Sequence, residues 1–176
     1  MRPPASLASF ASLCFGFALA LAALLPSGAQ AAETRFDAYY FFQSDEAMQE
    51  KQVDAQGLGR FSRAVQSAVW KSLRKVKLAP SSGYLVLAVR ADGKVAAWLD
   101  MEPALHEYYE AQILDAVKTV RPFPVAQGSV VFAIKMAIDT PVFTAKQRPA
   151  PKDWAEALQR LGDEDIEALV NAAWPE

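Results

Sequence analysis

Two hydrophobic rhythms alternate along the chain from residue 58 onward. From about Leu58 to Val76, the residues Phe61, Val65, Val69, Leu73 and Val76 recur at steps of four and three. That spacing lines one face of an amphipathic helix. Arg60, Arg63, Lys71 and Arg74 fall largely on the opposite side. Residues 79–83 (APSSG) read as a turn, and Tyr84 to Ala91 then alternates, with Leu85, Leu87 and Val89 on one face and Tyr84, Val86, Ala88 and Arg90 on the other. Asp92-Gly93 is a hairpin signal, because both positions tolerate positive φ. The return strand runs from Lys94 to about Met101, with Val95, Ala97 and Leu99 opposed to Trp98. Pro103 ends it. A second helix is predicted from about Leu105 to Val120, with Tyr109, Ile113, Ala116, Val117 and Val120 as its buried stripe. Pro122 and Pro124 stop that helix, since neither can continue it. Gly128 leads into a third strand, Ser129 to Asp139, where Val130, Phe132, Ile134, Met136 and Ile138 alternate with Val131, Ala133, Lys135 and Ala137.

The hairpin makes its two strands antiparallel, and the second helix carries the chain back along the sheet. The expected fold is therefore α+β, in the order α-β-β-α-β: a three-stranded antiparallel sheet of order 2-1-3, covered on one face by two helices. This places the third strand at an open edge. An open edge is a template for another strand, which proteins either protect or use. Residues 140–151 are a proline-punctuated linker. Two short amphipathic helices follow, the first with Trp154, Leu158 and Leu161, the second capped by Asp163 and carrying Ile166, Leu169, Val170 and Trp174. Neither is long enough to be stable alone, so the pair has to pack on the sheet, on itself or on a partner. Upstream, the aromatic run Phe36 to Phe42 is either a short strand or a buried lead-in. Ser44 with Asp45 is placed to cap a polar helix through about Gln56, ended by Gly57 and Gly59.

The front end changes the picture of where the protein works. Arg2 is the only charge before an apolar stretch from Ala5 to about Leu25, helix breakers follow at Pro26 to Gly28, and Ala29-Gln30-Ala31 supplies small residues at a cleavage position. Residues 1–31 therefore read as a secretory signal peptide cleaved after Ala31, which carries the protein out of the cytoplasm. The alternative is an uncleaved inner-membrane anchor, because the run is long enough to span a bilayer. Cleavage leaves 145 of the 176 residues, enough for one domain. Cys14, the only cysteine, falls in the removed segment, so disulfides and thiolate chemistry are not expected. The organisation is thus 1–31 signal peptide, 32–57 lead-in, 58–139 core domain and 140–176 linker with helical tail. The whole chain has 18 basic and 20 acidic residues, a balance with no overall attraction to nucleic acid. Lys71, Arg74, Lys75 and Lys77 crowd the end of the first long helix, where cations offset the helix dipole.

Residues 58–139 resemble the C-terminal domain shared by TonB and TolA, the periplasmic ends of energy-transducing envelope proteins. The resemblance rests on the helix with Phe61, Val65, Val69 and Leu73, on Gly83 before an apolar strand, and on Asp92-Gly93-Lys94-Val95. It continues through Leu114-Asp115-Ala116-Val117, Pro122-Phe123-Pro124 and the final strand VVFAIKMAI. The sequence departs from the family at Met101-Glu102-Pro103-Ala104, where a Ser-Gly pair is usual. The resemblance implies a binding module, not an enzyme. Its last strand would offer its edge to a peptide of an outer-membrane transporter or another envelope protein, with Val131, Ala133, Lys135 and Ala137 giving selectivity. The alternative is a structural or assembly protein that meets its partner through the C-terminal helical pair, using Trp154, Leu158, Leu169 and Trp174.

Candidate chemistry is thin. His106 is the only histidine and stands at a helix start beside Glu107, which suits a solvated or capping role better than a catalytic triad. No metal or other cofactor is expected, since one histidine cannot supply a ligand set. Asp163, Glu164, Asp165 and Glu167 occupy a helix's first turn, where the dipole favours acids. Glu107 and Glu110 have nothing to separate their pKa values, so no catalytic residue is assigned.

Overall fold

The structure, a computed structural model, describes residues 33–162 and 165–175. The expected signal peptide lies outside the described residues, as do Asp163 and Glu164. The aromatic run forms a strand, β1 (Thr34–Phe41), and Ser44 caps a short helix, α1 (Asp45–Glu50), its side chain accepting from the Ala47 amide. That helix does not run on to Gly57 as expected. The chain turns at Gln52, whose φ is +54°, and Asp54 caps a new helix, α2 (Ala55–Leu73), by accepting from the amides of Gln56 and Gly57 at 3.0 and 2.8 Å. Two capped starts in ten residues outweigh glycine as a stop. Gly57 instead serves packing, because a Cβ there would stand 3.3 Å from Cβ of Phe123.

The remaining elements are β2 (Ser81–Arg90), β3 (Val95–Glu102), α3 (Glu107–Lys118), β4 (Ser129–Ile138), a 3₁₀ turn (Lys152–Trp154), α4 (Ala155–Leu161) and α5 (Ile166–Ala172). The expected three-stranded sheet is not what forms. The sheet has four antiparallel strands in the order β1-β4-β2-β3. The class stays α+β, but β1 joins the sheet and β4 becomes an interior strand. Phe36 pairs with Met136 and Tyr39 with Ile134, so the register slips by one residue between them. Such a bulge puts side chains three apart on one face and hides the alternation that announces a strand.

Each face of the sheet carries its own core. On the first, Leu85, Leu87, Val89, Leu99, Phe132, Ile134 and Met136 meet Phe61, Val65, Val69 and Leu73 of α2 and Ile113 and Val117 of α3. On the second, Val86, Ala88, Trp98, Val131 and Ala133 meet Trp154, Ala157, Leu169 and Val170 of the tail. Trp154 is 2% exposed, with its ring 5.4 Å from that of Trp98 and 5.5 Å from Phe42. Truncating such an aromatic to alanine typically costs about 3–5 kcal/mol.

The tail is held by polar anchors as well. Glu167 of α5 pairs through Oε1 with the buried Lys51 Nζ at 2.5 Å and accepts through Oε2 from the Ser129 amide at 2.9 Å. In the linker, Lys146 Nζ and the Ala150 amide both reach the Asp100 carboxylate, at 2.6 and 2.8 Å. Tyr84 donates its hydroxyl proton to the Lys146 carbonyl at 2.7 Å. Burial above all, then the Asp100 carboxylate and Tyr40, raises the Tyr84 pKa above its usual value, and the Lys146 ammonium opposes them.

Two glycines at positive φ separate backbone strain from side-chain collision. Gly93 (φ +78°) has open space where a Cβ would stand, whereas a Cβ on Gly128 (φ +63°) would strike Glu167 Oε2 and Lys51 Nζ. Gly93→Ala should cost about 1 kcal/mol by urea unfolding, and Gly128→Ala about 2–4 kcal/mol because it also opens the ion pair. The Tyr84 shift has a sign of its own. The unfolded phenol ionises near pH 10 and the folded one only above it, so stability falls as pH rises past that point. Thermal melts from pH 8 to 11 should show a shallower alkaline decline in Tyr84→Phe than in the parent.

Candidate partner-binding surface

An interior strand has no free edge, and that decides where the expected binding residues stand. Ala133 is paired to Tyr40 on one side and Val86 on the other, and Ala137 to Arg35 and Ser82. Val131 faces Ala88 across β2 and is bonded on its outer side as well. The Phe42 amide donates to its carbonyl at 3.3 Å, and its amide donates to Gln43 Oε1 at 3.0 Å. Val131, Ala133 and Ala137 are buried, and Lys135 is half-buried with its ammonium 5.9 Å from the Tyr84 ring centre. The edge expected between Val130 and Ile138 is therefore filled by the chain's own N-terminal strand.

The second expected surface turns inward. Trp154 and Leu169 are buried in the second core, while Leu158 and Trp174 are partly buried against it. Val131 and Ala133 lie in that same cluster, so two sets of residues expected to meet partners meet each other. The reason is physical: β4 is apolar on both faces, and a strand buried on both faces needs cover on both.

His106 caps α3, its Nδ1 accepting from the Tyr108 amide at 3.2 Å, and Glu110 lies 3.3 Å from Lys152. Asp165 caps α5. Among the described residues no group of three or more His, Cys, Asp or Glu is placed to hold a metal ion. No helix among them is long and apolar enough to cross a membrane.

With β4 closed, the sheet ends at β1 and β3. At β3, Asp100 is engaged by the linker through Lys146 and Ala150. At β1, no backbone hydrogen bond leaves the outer side among the described residues. The bond from the Phe42 amide to Val131 sets the alternation of the ladder. The Tyr40 amide therefore faces β4, and those of Tyr39 and Phe41 face outward. Comparison with family models, with curated proteins and with solved structures finds no match.

The side chains beside this edge are aromatic. Tyr39 and Phe41 stack at 6.3 Å between ring centres, yet are 42% and 43% exposed. Both rings approach Phe132, which also touches Phe61. Phe61 in turn lines a groove of about 470 Å³ with Ala64, Pro122 and Phe123, bordered by Arg60 and Arg121. An open backbone edge and two half-exposed rings thus lie along one flank, while the groove sits between α2 and the segment that follows α3. The bulge had concealed these residues; only the density of aromatics in FDAYYFF pointed to them.

Gln43 extends the ladder where β1 ends, donating from Nε2 to the Ser129 carbonyl at 2.8 Å while Oε1 accepts from Val131. Both backbone groups are on buried residues. Gln43→Ala should cost about 1–3 kcal/mol and speed hydrogen exchange of the Val131 amide relative to Ala133, read by NMR.

Proposed function

We propose that this chain is an exported periplasmic protein–protein interaction module of the TonB/TolA C-terminal type, with no catalytic role, and that it takes an extended segment of an envelope protein along the outer edge of β1. The open edge beside Tyr39 and Phe41 carries this reading. Strand addition draws affinity from main-chain hydrogen bonds and selectivity from alternate side chains. Here the outward amides of Tyr39 and Phe41 supply the first, and their rings supply the second. Export rests on the signal-peptide pattern of residues 1–31, and the family on the motifs between 58 and 139. The last strand has no part in recognition, since both its sides are paired.

The edge is tested without disturbing the β1–β4 ladder by proline at an outward amide. Phe41→Pro removes an N–H that faces away from β4, and Phe41→Thr removes the ring alone while keeping the amide. In affinity capture from an envelope extract, the proteins retained by the purified parent should fall by about tenfold with Phe41→Pro and less with Phe41→Thr. Circular dichroism and melting temperature establish that both variants are folded. Full retention by folded Phe41→Pro removes strand addition at β1.

A further inference from the structure

Between Asp54 and Asp92 the chain has no acidic residue, while six of its 18 basic residues fall between positions 60 and 77. Four of the six belong to α2. Arg60, Arg63, Ser67, Trp70, Lys71 and Arg74 follow one another at helical steps along one side, opposite the buried stripe of Phe61, Val65, Val69 and Leu73. All six are exposed, Trp70 by 46%. The ridge from Arg60 to Arg74 is about 21 Å long. Lys75 and Lys77, also exposed, stand just past its end.

The helix dipole acts on the last turn, so it accounts for Lys71 and the cations after it but not for Arg60 and Arg63. Among the described residues, Arg60 alone of the six cations is ion-paired, with Asp54 at 3.5 Å. Two acids of the adjoining α3 are engaged elsewhere, Glu110 with Lys152 and Asp115 with Lys118. Arg74 holds its guanidinium 6.0 Å from the centre of the Trp70 ring. A convex row of cations without counter-ions, set around a half-exposed indole, suits a flat anionic surface. A plane meets the whole row at once, and tryptophan settles at headgroup level.

We propose that the outer ridge of α2 is a peripheral docking surface for an anionic lipid bilayer, with Arg63, Lys71 and Arg74 at the phosphates and Trp70 among the headgroups. The ridge lies on the side of α2 away from the sheet, and its role does not rest on the β1 edge.

The test is partition of the purified protein onto vesicles of phosphatidylcholine, alone or with about one-third phosphatidylglycerol, read by co-sedimentation. The anionic vesicles should retain the parent at least about tenfold better at about 0.05 M salt, and the preference should vanish at about 0.5 M. An apolar N-terminal segment would bind both vesicle types alike, so the difference isolates the ridge. Arg63→Gln, Lys71→Gln and Arg74→Gln together should remove the preference. Lys94→Gln, Lys118→Gln and Arg160→Gln together, which neutralise exposed cations elsewhere, should leave it largely intact. Brominated lipid should quench tryptophan fluorescence more in the parent than in Trp70→Phe. Circular dichroism establishes that the variants are folded. Equal partition onto the two vesicle types, a preference kept by the ridge variant, or equal loss in both triple variants overturns the proposal. So does binding to polyglutamate or duplex DNA without binding to vesicles, which would give the ridge to an acidic protein or a nucleic acid.

Discussion

A strand inside a sheet has to satisfy its backbone on two sides, and β4 does so entirely within this chain. β2 pairs along its whole length on one side. On the other, β1 and then the side-chain amide of Gln43 pair with it. Once that position is fixed, much of the remaining architecture follows. An interior strand exposes two faces, and the run VVFAI makes both apolar. Helices α2 and α3 cover one, so the C-terminal segment is drawn onto the other. Lys135, the one charged residue on the strand, lays its ammonium over the Tyr84 ring. The tail is a layer of the fold.

The Lys51–Glu167 pair shows how that third layer is registered. Apolar packing is non-directional, and two short helices on a flat face could slide. Glu167 contacts both Lys51, just after α1, and the first amide of β4. It thereby ties three distant parts of the chain to one point. A buried ion pair contributes little net stability, because desolvation opposes the attraction, but losing one partner leaves the other charge stranded. Its effect here is to fix where α5 sits. Gly128 belongs to the same arrangement, since any side chain there would occupy the space the pair needs.

The sequence made the central hairpin, both long helices and β4 legible, because each keeps its period without interruption. Leu85, Leu87 and Val89 and the stripe from Phe61 to Leu73 lie in the first core as their spacing requires. The first strand was not legible in the same way. Its bulge between Phe36 and Tyr39 breaks the period of two, and its residues are at most half-buried. Without that strand β4 would stand at an edge; with it, β4 is interior and both its sides are paired. The break between α1 and α2 was obscured for another reason: glycine reads as a stop, yet Gly57 is where α2 comes close to Phe123. For the tail, Trp154 and Leu169 were recognisably apolar faces, but periodicity does not say what such a face will touch. Val131 and Ala133, small residues on the opposite face of β4, were the sign that something packs there.

The pairing of β1 with β4 has a consequence for how the protein is made. In order of synthesis β1 comes first among the strands and β4 last, so most of the domain separates a strand from its sole neighbour in the sheet. Until β4 is available, the backbone of β1 has only water to bond to, and its aromatic side chains lack their cover. Contacts between segments this far apart in sequence carry the entropy of closing a long loop and slow folding accordingly. The strand made earliest is thus the one that settles into the sheet only after the last strand has been made.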